Sequence, residues 1–232
     1  MTNGRLETLA LALDTPDWSR FVKLCGLFGP HVGVLKVGLE AYTRWGARAV
    51  EEARSHGAEV FLDLKLHDIP NTVTGAIKAV RELGVDYLTI HAAGGPAMLR
   101  AAAKAADDDV KLLAVTLLTH LDPPALEALD MPGDGALRAQ KWAGLAAEAG
   151  CHGAVCSAHE VATLRNILPP PFTLVTPGIR LAVPVADDDQ ARVAGPRETL
   201  DLGSDLLVVG RPLTRAADPQ AALSEWALQL AG

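Results

Sequence analysis

The sequence predicts an α/β protein of one domain over residues 1–232, folded as a closed (β/α)8 TIM barrel, and three observations carry that expectation. Short apolar runs alternate with longer amphipathic, alanine-rich stretches, the pattern of strands buried on both faces and of helices that cover them. Eight such runs share 232 residues, which leaves about 29 residues for each strand–helix unit and fits a barrel with short loops. The first run leads into Asp14-Thr15-Pro16-Asp17, where a doubly wound open sheet would carry a glycine-rich nucleotide fingerprint.

Taken in order, each apolar run is read as a strand, and most carry a polar residue at or near their C-terminal end. Thr8 to Asp14 closes on Asp14 and precedes an amphipathic stretch at 17–28. Val34 to Val37 contains Lys36 and leads to a helix at 40–56. Glu59 to Leu64 brings Asp63 and Lys65 to its end; the helix at 71–83 follows, with Pro70 suited to a first turn and Asp68 read as its cap. Tyr87 to His91 ends in His91 before a helix at 96–106. Lys111 to Leu117, with Thr116 and then Thr119, is followed by a short helical piece at 124–129 and a longer one at 137–149. Gly153 to Cys156 meets Ser157 and a helix at 158–168. Thr173 to Thr176 opens on the long irregular stretch Gly178 to Pro196, which holds Pro184 and the acidic run Asp187-Asp188-Asp189 and reads as a solvated loop or a lid. Leu206 to Val209 ends in Gly210-Arg211-Pro212, between helices at 196–202 and 218–230.

Composition narrows the function. With 49% hydrophobic and 21% charged residues the chain is expected to be folded and soluble. A net charge of −7 without a cluster of Lys and Arg argues against nucleic-acid and anionic-membrane partners, so an anionic ligand must meet local cations. Cys25, Cys151 and Cys156 form no metal or redox spacing, and neither a signal peptide nor a bilayer-spanning run is seen, from which a cytoplasmic location is expected.

The densest polar string is Asp63-Leu64-Lys65-Leu66-His67-Asp68. Strand alternation puts Asp63 and Lys65 on one face inside the barrel, and Lys36 from the neighbouring strand extends the pair into a Lys–Asp–Lys network. Burying such charges costs several kcal/mol each unless they are well paired, so a purely structural ion pair is the weaker reading. His91 reads equally as a core histidine or a site residue. Metal binding is disfavoured, because two lysines compete with a cation for the carboxylates. Gly210 and Arg211 suit an anion, since a backbone N–H there can approach closely and a guanidinium forks onto phosphate.

These strings, with Leu11-Ala12-Leu13-Asp14, Leu35-Lys36-Val37-Gly38, Phe61 through Thr72, His91-Ala92-Ala93-Gly94-Gly95, Val115 through Thr119 and Thr176-Pro177-Gly178-Ile179-Arg180, resemble the orotidine 5′-phosphate decarboxylase family over nearly the whole chain. The resemblance implies decarboxylation of orotidine 5′-monophosphate to UMP without metal or cofactor, in a homodimeric barrel. It implies that Lys36, Asp63, Lys65 and Asp68 form a charged tetrad, with Lys65 the proton donor and with Asp68, Ile69 and Thr72 lent to the partner's site. It further implies that Asp14 and Lys36 contact the ribose, that Thr119 contacts the pyrimidine, and that Arg180, Gln190, Gly210 and Arg211 line the phosphate end, with Pro177 also at the substrate and His91 on the ribose and phosphate side. The stretch Leu181 to Ala186 and Gly195-Pro196-Arg197 match the family less closely. Two alternatives stand beside this. A Mg2+-dependent 3-keto-gulonate phosphate decarboxylase or hexulose phosphate synthase shares the Asp-x-Lys-x-x-Asp string, but carries a carboxylate where this chain has Lys36. A silent barrel that binds a nucleotide or phosphosugar needs no buried cluster of lysines and aspartates.

Overall fold

The computed structural model describes residues 6–181 and 195–231. Its eight parallel strands are β1 (Leu6–Ala12), β2 (Val32–Gly38), β3 (Glu59–Leu66), β4 (Tyr87–His91), β5 (Lys111–Val115), β6 (Gly153–Val155), β7 (Thr173–Pro177) and β8 (Leu206–Val209). They pair in chain order, and β8 returns to β1 through Leu9 opposite Leu207, so the sheet closes into the expected barrel. Closure leaves no unpaired edge, which is why runs this short and this apolar can be strands.

Alternation along the strands sorts the core into two layers. Ala10, Val34, Phe61, Tyr87, Leu113 and Val175 pack together within the barrel. Leu9, Leu35, Leu62, Leu88 and Leu112 belong to the larger cluster between strands and helices. All seven residues of β2 are buried, as a strand covered on both faces requires.

The helices are α1 (Trp18–Phe28), α2 (Leu39–Trp45), α3 (Ala47–Arg54), α4 (Pro70–Glu82), α5 (Gly95–Ala106), α6 (Pro123–Ala128), α7 (Gly135–Glu148), α8 (Ala158–Ile167), α9 (Pro196–Asp201), α10 (Arg211–Thr214) and α11 (Pro219–Ala231). Where one helix was expected over 40–56 there are two. Gly46 sits between them at φ +55, a left-handed conformation that glycine adopts without a Cβ clash. The single turn α10 and the 3₁₀ turn Ala92–Gly94 were not anticipated, being shorter than a periodic pattern can report.

β4 and β8 coincide with their apolar runs. β1 ends at Ala12, so Asp14 stands in the loop beyond it, and β5 stops at Val115, which leaves Thr116 and Thr119 on the loop side. Most of the stretch Gly178 to Pro196, including Pro184, Asp187 to Asp189 and Gln190, lies outside the described residues. No helix among the described residues is long and apolar enough to cross a membrane.

Candidate active site

The C-terminal ends of the strands open into a cavity of about 480 Å³, within the range of small-molecule sites. Lys36, Lys65, Arg180, Arg211 and Arg215 reach it, against the carboxylates Asp14, Glu40 and Asp63. An excess of cations concentrated in one cleft of a chain whose net charge is −7 marks the place for an anionic ligand.

One end of the cavity, fed by β1, β2 and β3, holds the charged network. Lys65 Nζ donates to Asp63 Oδ1 at 2.7 Å, and Lys36 Nζ lies 3.4 Å from Asp63 Oδ2 and 3.9 Å from Asp14 Oδ1. Burial alone would push the Asp63 carboxyl up, but the ammonium groups of Lys36 and Lys65 and the donated hydrogen bonds outweigh it and hold the group at about 2. Burial likewise favours a neutral Lys36, and the Asp63 and Asp14 carboxylates reverse that and raise it. Asp63 and Lys36 are therefore both charged near neutral pH. At the end of β2, a Cβ on Gly38 would come within 2.7 Å of Asp14 Oδ1 and 3.2 Å of Lys36 Nζ, so the absence of a side chain there is what lets this pair approach.

Lys65 reaches Asp63 by a route that strand alternation does not describe. Between β3 and β4 the register passes from Leu62 opposite Leu88 to Leu66 opposite Ile90, so two extra residues bulge from β3. Lys65 lies in that bulge at φ +54, a left-handed backbone for a residue with a Cβ. The two side chains meet because the strand leaves its pleat, which corrects the alternation argument. The hydroxyl of Thr89, buried on β4, meets both the Lys65 N–H and Asp63 Oδ1 at 2.9 Å. Sequence reasoning missed Thr89, since a threonine within a strand is an ordinary β-former.

A further part of the wall comes from β7 and β8, the latter paired with β1. Pro177 and Gly178, the buried Arg180, and Gly210 with Arg211 form it, while Thr119 comes from the loop after β5. Arg180 Nη1 donates to the Ile179 carbonyl at 2.9 Å, which anchors the guanidinium beside the cavity. Cys156 also touches the cavity, but burial, with the Glu160 carboxylate nearby, pushes its thiol far up and keeps it protonated.

Four of the expected site residues among the described ones are not on the cavity wall. Asp68, Ile69 and Thr72 are exposed outside the cavity, with Ile69 66% accessible. Asp68 and Ile69 line a separate shallow depression with His67 and Pro70. The cap reading of Asp68 is corrected as well: the N-cap of α4 is Ile69, which makes no side-chain capping bond, and Asp68 Oδ1 accepts the Ile69 N–H at 2.6 Å instead. His91 is half-buried at the end of β4, 5.4 Å from the His67 ring and not on the cavity wall; burial first, then His67 and Lys65, lower its pKa. Other polar strand-end residues serve the framework. Thr116 donates to the Val155 carbonyl, Thr176 pairs with Ser204, and Ser157 caps α8 with its N–H on Glu160. Among the described residues no three His, Cys, Asp or Glu side chains gather as a metal site.

Comparison with known proteins covers almost the whole chain. The family model described as orotidine 5′-phosphate decarboxylase / HUMPS family matches residues 7–226. An orotidine 5′-phosphate decarboxylase of Thermobifida fusca is 48% identical, over 96% of this chain and 95% of its own length. That of Anaeromyxobacter dehalogenans is also 48% identical, over 93% and 95%. The crystal structure of orotidine 5′-phosphate decarboxylase from Lactobacillus acidophilus superposes with a TM-score of 0.84 at 33% identity, covering 99% of this chain and 100% of that one.

Proposed function

The chain belongs to the orotidine 5′-phosphate decarboxylase / HUMPS family and decarboxylates orotidine 5′-monophosphate to UMP in pyrimidine biosynthesis, and from that premise we propose how its residues perform the step. Loss of CO2 breaks the bond between pyrimidine C6 and the carboxyl carbon and leaves an electron pair on C6, in an orbital outside the ring's π system. That charge must be stabilised by placement. The Lys65 ammonium, held by Asp63 and by Asp68 of the partner subunit, faces C6 and interacts more strongly with the localised carbanion than with the carboxylate it replaces. Lys65 then gives its proton to C6, becomes a neutral amine and regains a proton from water after product release.

Asp14 and Lys36 hold the ribose, with Thr119 and Pro177 at the pyrimidine. Arg180, Gly210 and Arg211 bind the phosphate together with Gln190, and His91 acts from the ribose side. Binding energy from the phosphate, remote from C6, is available to orient the reacting carbon. The reaction needs neither metal nor cofactor: the Asp63 carboxylate, which a cation would seek, already carries two ammonium groups. The same two groups disfavour the Mg2+-dependent alternative.

The working unit is a homodimer of single-domain barrels, each of residues 1–232. Asp68, Ile69 and Thr72 are supplied across the interface, consistent with their exposure and their distance from the cavity of their own chain. Neither nucleic acid nor membrane is a partner, and the three buried free thiols suit the reducing cytoplasm. The observation that carries this reading is the Lys36–Asp63–Lys65 chain of contacts in a cavity whose wall also bears Arg180 and Arg211. Its test is the loss of orotate absorbance when the protein meets orotidine 5′-monophosphate in excess EDTA. Rapid conversion to UMP is expected; conversion that required added Mg2+ would overturn the metal-free reading.

A further inference from the structure

We propose that Thr89 is a positioning residue for the decarboxylation, setting both the Asp63 carboxylate and the backbone of Lys65 through one hydroxyl. This rests on the reading of Asp63 and Lys65 given above. The geometry leaves little freedom in how that hydroxyl is used. A backbone N–H can only donate, so Thr89 Oγ1 accepts from Lys65 N at 2.9 Å, and its single proton goes to Asp63 Oδ1 at 2.9 Å. Thr89 is fully buried, so no water competes for either bond.

Each bond answers a specific need. Where β3 bulges, the ladder to β4 is interrupted between Leu62 and Leu66, and the Lys65 N–H finds its partner in a side chain of β4. Lys65 is held at φ +54 there, a conformation that persists only where its surroundings over-determine it. On the carboxylate, Thr89 and Lys65 Nζ converge on Oδ1 while Lys36 faces Oδ2. The carboxylate plane is thereby fixed, with one oxygen committed to each lysine. Loss of the hydroxyl frees the carboxylate to rotate and the Lys65 backbone to relax, so the ammonium loses its aim, and errors of about 1 Å in such groups cost about 100-fold in rate.

The test compares Thr89→Val, which keeps the shape and removes the hydroxyl, with Thr89→Ser, which keeps the hydroxyl. Thr89→Val is expected to lower kcat about 10- to 100-fold with KM for orotidine 5′-monophosphate nearly unchanged, and Thr89→Ser to retain most of the rate. The pH profile separates positioning from mere support. Asp63 is faced by Lys36 on β2 with Asp14 beyond it, by Lys65 on its own strand, and by Thr89 and His91 on β4 with His67 behind. Removing one donor raises the carboxyl pKa, so the acid limb of kcat should move to higher pH in Thr89→Val. UMP binding counts folded sites, and Thr89→Ala replaces the valine variant if that does not fold. A valine or alanine variant with normal kcat per UMP site, or one whose lower rate comes with an unmoved acid limb, would overturn the proposal. Lys65→Ala is run alongside: turnover retained there would remove the catalytic reading itself, whereas an inactive Lys65→Ala beside a fully active Thr89→Val would sink only the role of Thr89.

Discussion

Asp63 lies between two ammonium groups, and that position gives its titration a sign that can be checked. Its carboxyl is held at about 2, below the usual carboxylate range, so the folded state gains stability from it above about pH 4 and loses that gain as pH falls through 2. Lys36 works in the other direction. Its pKa is raised, so its contribution is present below the ordinary lysine value near about 10.4 and is lost as pH rises through the higher folded value. Replacing Asp63 by Asn removes the group that keeps Lys36 charged and leaves two lysines facing each other, a change on the order of 3 kcal/mol. The urea midpoint of Asp63→Asn should therefore fall well below wild type at pH 7, and the gap should narrow as pH is lowered from 5 towards 2; a gap independent of pH would refute the electrostatic account. Lys65 is the one residue asked both to stabilise C6 and to protonate it. Lys65→Ala should lose at least about 1,000-fold in turnover while UMP still binds, as calorimetry can show, because the groups proposed to hold the ribose and phosphate are other residues of the cavity lining, Asp14, Arg180 and Arg211 among them.

At the scale of the element, Gly38 shows how a strand end shapes the charged network of the cavity. A methyl group there would press on Asp14 Oδ1 and Lys36 Nζ, both of them ends of movable side chains, so the barrel should tolerate it while the pair is pushed apart. Gly38→Ala is expected to raise KM for orotidine 5′-monophosphate about tenfold with little change in Tm; a matching fall in Tm would place the effect in folding instead. The same strand ends show what could be read from the sequence. β4 and β8 follow their apolar runs because burial on both faces leaves a mostly apolar signal, broken in β4 by Thr89 alone before His91. Lys36, Asp63, Lys65 and Arg211 were found because polar residues at strand ends stand out against that signal, whereas Arg180 was pointed to by the family resemblance alone. The break at Gly46 and the bulge at Lys65 were not found, since each turns on a backbone angle that many sequences permit. Thr89 was invisible for a different reason: its function lies in the partners of its hydroxyl, and those come from a neighbouring strand whose bulge no alternation rule describes. Thr116 and Thr176, equally conspicuous in the sequence, turn to framework bonds, and Ser157 joins the cap of α8 through its backbone N–H.

For the whole molecule, the unequal placement of the charged tetrad is the informative fact. Lys36, Asp63 and Lys65 gather in the cavity of their own chain, whereas Asp68, three residues beyond Lys65, stays exposed outside it beside the 66% accessible Ile69. If the site is completed by a second copy, each cavity combines Lys65 of one subunit with Asp68 of the other across a two-fold axis. Two inactive variants then cure each other. In a mixed dimer of Lys65→Ala with Asp68→Asn, one cavity carries both defects and the other receives Lys65 from the second variant and Asp68 from the first, so it is intact. Random exchange makes about half of the dimers mixed, each with one good cavity of two, and equal mixtures should recover about a quarter of wild-type turnover. Activity measured after the two inactive proteins are mixed, exchanged at low concentration and reconcentrated decides the matter. If Asp68 instead acted within its own chain, every cavity in the mixture would lack one of the two groups, and activity would stay at the sum of the separate variants.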